Sequence, residues 1–289
     1  MMRVGVQIKK VAVVGAGTMG LGIAQVFAQG GFDTLLFDLK PELTHAAILI
    51  IQKNLQHLVE KSKITASQKD QILSRIKTVD SESEIKADLI IEAIVERLDV
   101  KQNLFQKLES INSNNAILAT NTSSLSVSQI AQPLKNPGNC IGLHFFNPAP
   151  VMKLVEIISG QETGIDLVEE MKSLVLHLEK IPVVTKDSPG FIVNRVARHF
   201  YLESLKLLEE NKSDIEGIDK LMRASGFKLG PFELMDLIGI DTNFAVTVSV
   251  YNGFHQSVRF KPNKIQEQKV KAAHLGRKSG KGFYEYPKR

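Results

Sequence analysis

Val11-Ala12-Val13-Val14-Gly15-Ala16-Gly17-Thr18-Met19-Gly20 passes from a β-branched run into a helical pattern through the spacing G-x-G-x-x-G. Each glycine serves a physical need. Gly15 permits a tight turn, Gly17 lets backbone approach a pyrophosphate, and Gly20 lets helix pack closely on strand. Thr18 and Met19 open the helix, whose amino end offers N–H groups and a partial positive charge to phosphate. Three glycines alone are a weak signal. Asp38 strengthens it by closing the next strand-like run eighteen residues after Gly20, where a carboxylate meets a ribose 2′-hydroxyl. The same carboxylate repels a 2′-phosphate and no arginine stands beside it, which selects NAD over NADP.

Working outward, strand and helix patterns alternate. Strands are expected at Val11–Val14, Thr34–Phe37, Asp88–Ala93, Ala116–Thr120, Cys140–Phe146, Lys153–Ile158 and Ile181–Thr185. Helices are expected at Met19–Gln29, Glu42–Lys61, Gln68–Ser74, Val100–Leu108 and Leu167–Leu178. Such alternation implies an α/β, doubly wound, mostly parallel Rossmann-type sheet over residues 1–187. The pattern changes at Asp187-Ser188-Pro189-Gly190. Beyond it only helical spacing is found, at Phe191–Glu210, Ile215–Ala224, Pro231–Leu237 and Asn243–Tyr251, so residues 188–289 form a second, all-helical domain. Several apolar helical faces in that domain, Phe191–Leu208 foremost, predict substrate closure and a homodimer formed through it.

Composition bounds the partners. Hydrophobic residues make up 43% of 289, charged residues 23%, and no apolar run approaches the roughly 20 residues of a membrane helix. MMRVGVQIKK passes within a few residues into a strand-like run, unlike a secretory signal, and a cytoplasmic protein with no membrane partner is expected. The formal charge of +5 is spread among acids with no basic stripe, which argues against nucleic acid. Cys140 is the only cysteine, so a multi-cysteine metal site is excluded and no metal is expected. In one strand Cys140 and His144 share a face, but four residues span about 13 Å, too far for a catalytic dyad.

The chemistry-bearing residues collect at expected strand ends. The fourth strand closes in Glu92-Ala93-Ile94-Val95-Glu96 and the next in Asn121-Thr122-Ser123-Ser124; His144-Phe145-Phe146-Asn147-Pro148 and Lys153-Leu154-Val155-Glu156 follow. In a doubly wound sheet these carboxyl ends face the ligand crevice, so Asn121 and Ser123 join the cofactor set. A histidine there, with serine, asparagine and glutamate at hand, suits hydride transfer coupled to proton transfer. If the chain turns about Pro150, residues 144 and 156 lie opposite on an antiparallel pair, about 5 Å apart at Cβ.

The chain closely resembles the 3-hydroxyacyl-CoA dehydrogenase family, particularly its short bacterial 3-hydroxybutyryl-CoA type. GAGTMG, EAIVE, NTSSL, GLHFFNPAPVMKLVE, DSPGFIVNRV, GPFELMDLIGID and GRKSGKGFYEY carry the resemblance nearly end to end. It implies that His144 is the general base for the substrate 3-hydroxyl and that Glu156 orients and charge-stabilises the imidazole. Ser123 and Asn194 would bond the reacting oxygen and the neighbouring carbonyl. Glu96, Lys101, Asn147 and Lys278 match positions lining the nicotinamide half of NAD, and Lys61 matches a lysine that meets coenzyme A. Asn54 departs from the pattern, standing where some relatives carry a CoA-contacting serine, and Asn252–Lys261 is less familiar than its surroundings. The implied reaction is reversible oxidation of (S)-3-hydroxyacyl-CoA to 3-ketoacyl-CoA in fatty-acid or butyrate-type metabolism.

Two other readings compete. A β-hydroxyacid dehydrogenase of the 3-hydroxyisobutyrate type relies on a lysine in a glycine-rich helix of its second domain, and Phe191-Ile192-Val193-Asn194-Arg195 has none. A non-catalytic relative is expected to carry a damaged Ser–His–Glu–Asn set, whereas Ser123, His144, Glu156 and Asn194 are all present.

Overall fold

A computed structural model describes residues 8–287; the amino-terminal residues 1–7, expected to lead into the first strand, lie outside the described residues. The chain divides after Asp187 into two compact units. The first contains, in chain order, β1 (Lys10–Val14), α1 (Thr18–Gln29), β2 (Asp33–Phe37), α2 (Pro41–Glu60), α3 (Ala66–Ser74), β3 (Ile76–Thr78) and β4 (Leu89–Glu92). It continues with α4 (Leu98–Ile111), β5 (Ile117–Thr120), α5 (Val127–Ala131), β6 (Cys140–Phe145), β7 (Leu154–Ser159), α6 (Ile165–His177) and β8 (Ile181–Lys186).

The strands form one eight-stranded sheet in the order β3-β2-β1-β4-β5-β6-β7-β8. Every neighbouring pair is parallel except β6 and β7, which are antiparallel. The central strands β1, β4, β5 and β6 are almost wholly buried, as continuous apolar runs covered on both faces must be. The core joins Val11, Val13, Ile91, Ile117 and Ile141 of the sheet to Ile23 and Phe27 of α1 and Ile51 and Leu55 of α2.

Two elements of this unit escape sequence patterning. In β3 only Ile76 is buried, because an edge strand needs backbone pairing rather than two apolar faces. The five-residue α5 is too short for a period; Ser126 begins it by accepting a hydrogen bond from Gln129 N.

The second unit is helical: α7 (Val193–Glu209), α8 (Ile215–Ala224), α9 (Pro231–Ile238), α10 (Ile240–Gly253) and α11 (Lys264–Lys271). Its core packs Tyr201, Leu205, Ile218, Phe232, Met235, Ile240 and Phe283. The helix expected from Phe191 begins at Val193, because Gly190 and Phe191 both take positive φ in the turn before it. The lysine- and glutamine-rich α11 shows little apolar stripe, and Gln266 is its one fully buried side chain. Two buried aspartates explain the end motifs. Asp219 accepts from Phe232 N, Glu233 N and the Tyr284 hydroxyl, while Asp236 accepts from Phe283 N, Tyr284 N and the Tyr286 hydroxyl.

Candidate active site

The glycine loop has the shape a pyrophosphate requires. Gly15 sits at φ +103°, and a Cβ there would lie 2.6 Å from Ala93 O; at Gly20 a Cβ would collide with Gly15 O. At Gly17 it would meet nothing within 4 Å, so the loop is packed beneath and open above. Gly17 caps α1 without any side-chain bond, which leaves the Thr18, Met19 and Gly20 end of the helix available to an anion. Asp38, just past β2, ties the loop down by accepting from Ala16 N at 2.8 Å and Lys40 N at 3.0 Å. These features fit a dinucleotide: the glycine loop and the start of α1 would hold its pyrophosphate, and Asp38 would meet its adenosine ribose.

On the other side of β1, the ends of β4 and β5 carry an ion cluster whose Glu92 and Lys101 are buried and whose Glu96 reaches the surface. Lys101, 1% exposed, places its Nζ 2.5 Å from Glu92 Oε1 and 3.2 Å from Glu96 Oε2. Glu96 in turn accepts from Thr122 Oγ1 at 2.6 Å and from Ser123 N at 3.0 Å, so it holds the loop that presents Ser123. Burial alone would raise the Glu96 pKa; the Lys101 charge and the Thr122 and Ser123 bonds outweigh it and hold this carboxyl below its usual range. At Glu92 burial dominates and pushes the pKa up, against Lys101 and the bonds from Thr120 and Ile94. Glu92 and Thr120 are not among the site residues expected from the sequence. The available signal was a carboxylate ending the apolar run Leu89-Ile90-Ile91.

His144 lies on β6 directly opposite Glu156 on β7, in the register expected from a turn about Pro150. Its Nδ1 is 2.7 Å from Glu156 Oε2; the histidine is 6% exposed and the glutamate 0%. Asn121 Oδ1 accepts from Phe145 N at 2.8 Å, which ties the end of β5 to the strand carrying His144. Asn147 is exposed in the turn that follows. Cys140 is fully buried and burial drives its thiol pKa far up, so it is no nucleophile. In the second unit Asn194 opens α7, where its carbonyl accepts from Arg198 Nε at 3.1 Å, and Lys278 pairs with Asp241 at 2.6 Å.

A second feature of the first unit is a pocket of ≈ 500 Å³ bordered by α1, α3 and the β6–β7 turn, with Lys63, Arg75, Lys153 and Lys180 in its walls. Three of these cations donate to backbone carbonyls: Arg75 to Ala28, Lys153 to Glu179, and Lys180 to Ala149 and Met152. Burial, with Lys153 nearby, lowers the Lys180 pKa. Lys61 is exposed at the end of α2, two residues before Lys63, and Asn54 Nδ2 donates to Gln25 at 3.2 Å.

An open, mostly parallel sheet with this glycine loop and a buried His–Glu pair at its strand ends defines a dinucleotide-binding unit of the dehydrogenase class. Comparison with known proteins specifies it. The profile of the 3-hydroxyacyl-CoA dehydrogenase NAD binding domain matches residues 10–188, and that of the 3-hydroxyacyl-CoA dehydrogenase C-terminal domain matches residues 190–286. The chain belongs to the NAD-dependent 3-hydroxyacyl-CoA dehydrogenase family. It is 47% identical over 283 residues to the 3-hydroxyadipyl-CoA dehydrogenase of Escherichia coli, covering 97% of this chain but only 60% of that relative's length. It is 39% identical to the 3-hydroxybutyryl-CoA dehydrogenase of Clostridioides difficile, covering 96% of this chain and all of the relative. The crystal structure of (S)-3-hydroxybutyryl-CoA dehydrogenase from Ralstonia eutropha superposes with a TM-score of 0.93 at 37% identity, over 98% of this chain and 100% of that one.

Proposed function

We propose that this protein interconverts (S)-3-hydroxyacyl-CoA, of the 3-hydroxybutyryl-CoA type, and 3-ketoacyl-CoA, with His144 as general acid/base and Glu156 as its partner. The observation that carries the reading is the buried 2.7 Å contact between His144 Nδ1 and Glu156. A carboxylate at Nδ1 accepts a hydrogen bond from Nδ1–H, so Nε2 carries the lone pair that receives the 3-hydroxyl proton. Glu156 then balances the imidazolium that forms. Bound NAD supplies the hydride acceptor. Ser123 and Asn194 would orient the reacting oxygen and the neighbouring carbonyl; Glu96, Lys101, Asn121, Asn147 and Lys278 would line the nicotinamide half. The phosphates of coenzyme A would be met by Lys61 and by the cation-walled pocket beside it. Lys153 in that wall lies three residues from Glu156, about 10 Å of strand and within the span of a pantetheine arm.

Similarity to the 3-hydroxyadipyl-CoA enzyme favours, as a second reading of the acyl group, a tail that ends in a carboxylate. A homodimer through the second unit is part of the proposal, supported by Val196 and Leu221, which stand 67% and 66% exposed on its helices. The test is consumption of NADH with acetoacetyl-CoA, its loss in His144→Gln, and a steady-state survey over plain and carboxylate-ended acyl-CoAs. An inactive wild-type protein would overturn the reading.

A further inference from the structure

The Glu92–Lys101–Glu96 cluster holds two carboxylates against one ammonium. Every contact made by Glu92 comes from a donor: Lys101 Nζ at 2.5 Å and Ile94 N at 2.7 Å to Oε1, and Thr120 Oγ1 at 2.7 Å to Oε2. Thr120 Oγ1, which accepts from Thr122 N at 3.2 Å, donates to Glu92. The same arrangement recurs at Glu96. Thr122 Oγ1 accepts from Leu125 N and gives its proton to Oε1, and Ser123 N donates to the same oxygen. An ammonium and a backbone N–H that can only donate meet each carboxyl, an environment that favours the ionised form. Burial opposes ionisation of Glu92, while the ammonium and the N–H and O–H donors around it favour the carboxylate; with both carboxyls ionised the cluster carries one net negative charge, desolvated at Glu92 and Lys101, which are 0% and 1% exposed.

With the pyrophosphate held by the glycine loop and the adenosine ribose met by Asp38, the nicotinamide half of a dinucleotide would extend toward the ends of β4 and β5, where this cluster lies. The nicotinamide ring is positively charged when oxidised and neutral when reduced. We propose that Glu92 is a positioning residue that fixes Lys101 and Glu96 and leaves a net negative charge beneath the nicotinamide, so that the site favours the oxidised cofactor over the reduced one. The inference rests on the dinucleotide reading above. It assigns to Glu92, which touches neither cofactor nor substrate, an electrostatic effect on the balance between the two cofactor forms.

The test is equilibrium binding of both forms to the full chain, NADH by its own fluorescence and NAD+ by displacement of NADH. Glu92→Gln keeps the shape and removes the charge. It is expected to raise the ratio of the NAD+ to the NADH dissociation constant by roughly fivefold or more. Glu92→Asp keeps the charge and is expected to leave the ratio within about twofold of wild type. A purely structural role would weaken both forms by one common factor in Glu92→Gln, and that result overturns the proposal. Should Glu92→Gln not fold, Glu96→Gln removes the same charge from a side chain that is 37% exposed; an unchanged ratio there overturns the proposal equally. Failure of the wild-type protein to bind either form would instead strike down the dinucleotide reading itself.

Discussion

Replacing Glu156 by glutamine removes a charge while keeping the shape of the side chain. The carboxylate meets the imidazole at 2.7 Å in a region where the two residues are 0% and 6% exposed, so solvent screens the pair little. Two opposite charges about 4 Å apart interact by about 4 kcal/mol at an effective dielectric of ~20. That energy is realised only as His144 takes up the substrate proton, so it stabilises the transition state and not the bound substrate. The full term corresponds to ~10³-fold in rate; the glutamine dipole recovers part of it, and about 10²-fold is expected. The assay is NADH formation from (S)-3-hydroxybutyryl-CoA and NAD. In Glu156→Gln, kcat and kcat/KM should fall together by that factor with KM nearly unchanged. His144→Gln should cost more, and the double variant much less than the product of the two losses. A kcat within about threefold of wild type would refute the charge argument and make Glu156 a bystander.

Asp38→Ala should narrow the preference for NADH over NADPH by weakening NADH, read as the ratio of kcat/KM values; equal use of both cofactors by the wild type would remove the basis for that expectation. Lys61→Ala and Lys63→Ala should each raise KM for acetoacetyl-CoA more than they lower kcat and should spare NADH binding, because each lysine meets a phosphate as a point charge. Burial would raise the Asp241 pKa, but the hydrogen bond and charge of Lys278 outweigh it and hold the pKa below its usual range. The stability this pair contributes is present above the unfolded value of about 3.9 and is lost as pH falls through the lowered folded one. Lys278→Met should therefore lower Tm at pH 7, modestly because the pair is half-exposed, and the difference from wild type should shrink near pH 3.

The sheet was legible because β1, β4, β5 and β6 are buried on both faces and read as unbroken apolar runs, and the glycine loop because its spacing is dictated by sterics. The His144–Glu156 opposition followed from counting residues about Pro150. What stayed hidden had no such signature. The edge strand β3 buries one residue, α11 is polar nearly throughout, and the role of Glu92 depends on three donors from β5, α4 and the β4 turn converging on one carboxylate. No local pattern announces a convergence of that kind. The motif GKGFYEY was visible as a string, but its reason, two buried aspartates that collect backbone N–H groups and tyrosine hydroxyls, needed the fold.

The single antiparallel pairing in the sheet has a consequence for how this chain tolerates insertion and deletion. Because His144 and Glu156 are cross-strand partners, their separation is set by backbone register and not by the reach of flexible side chains. A slip of one residue between β6 and β7 would bring Val155 or Ile157 opposite the imidazole and turn the carboxylate to the other face of the sheet. Residues 146–153 can thus gain or lose length only where the change bulges out of the turn. Lys180 anchors that turn at two carbonyls, Ala149 and Met152, so the room for such bulging is narrow. A library of single-residue insertions across this stretch would be expected to retain folded protein far more often than it retains turnover.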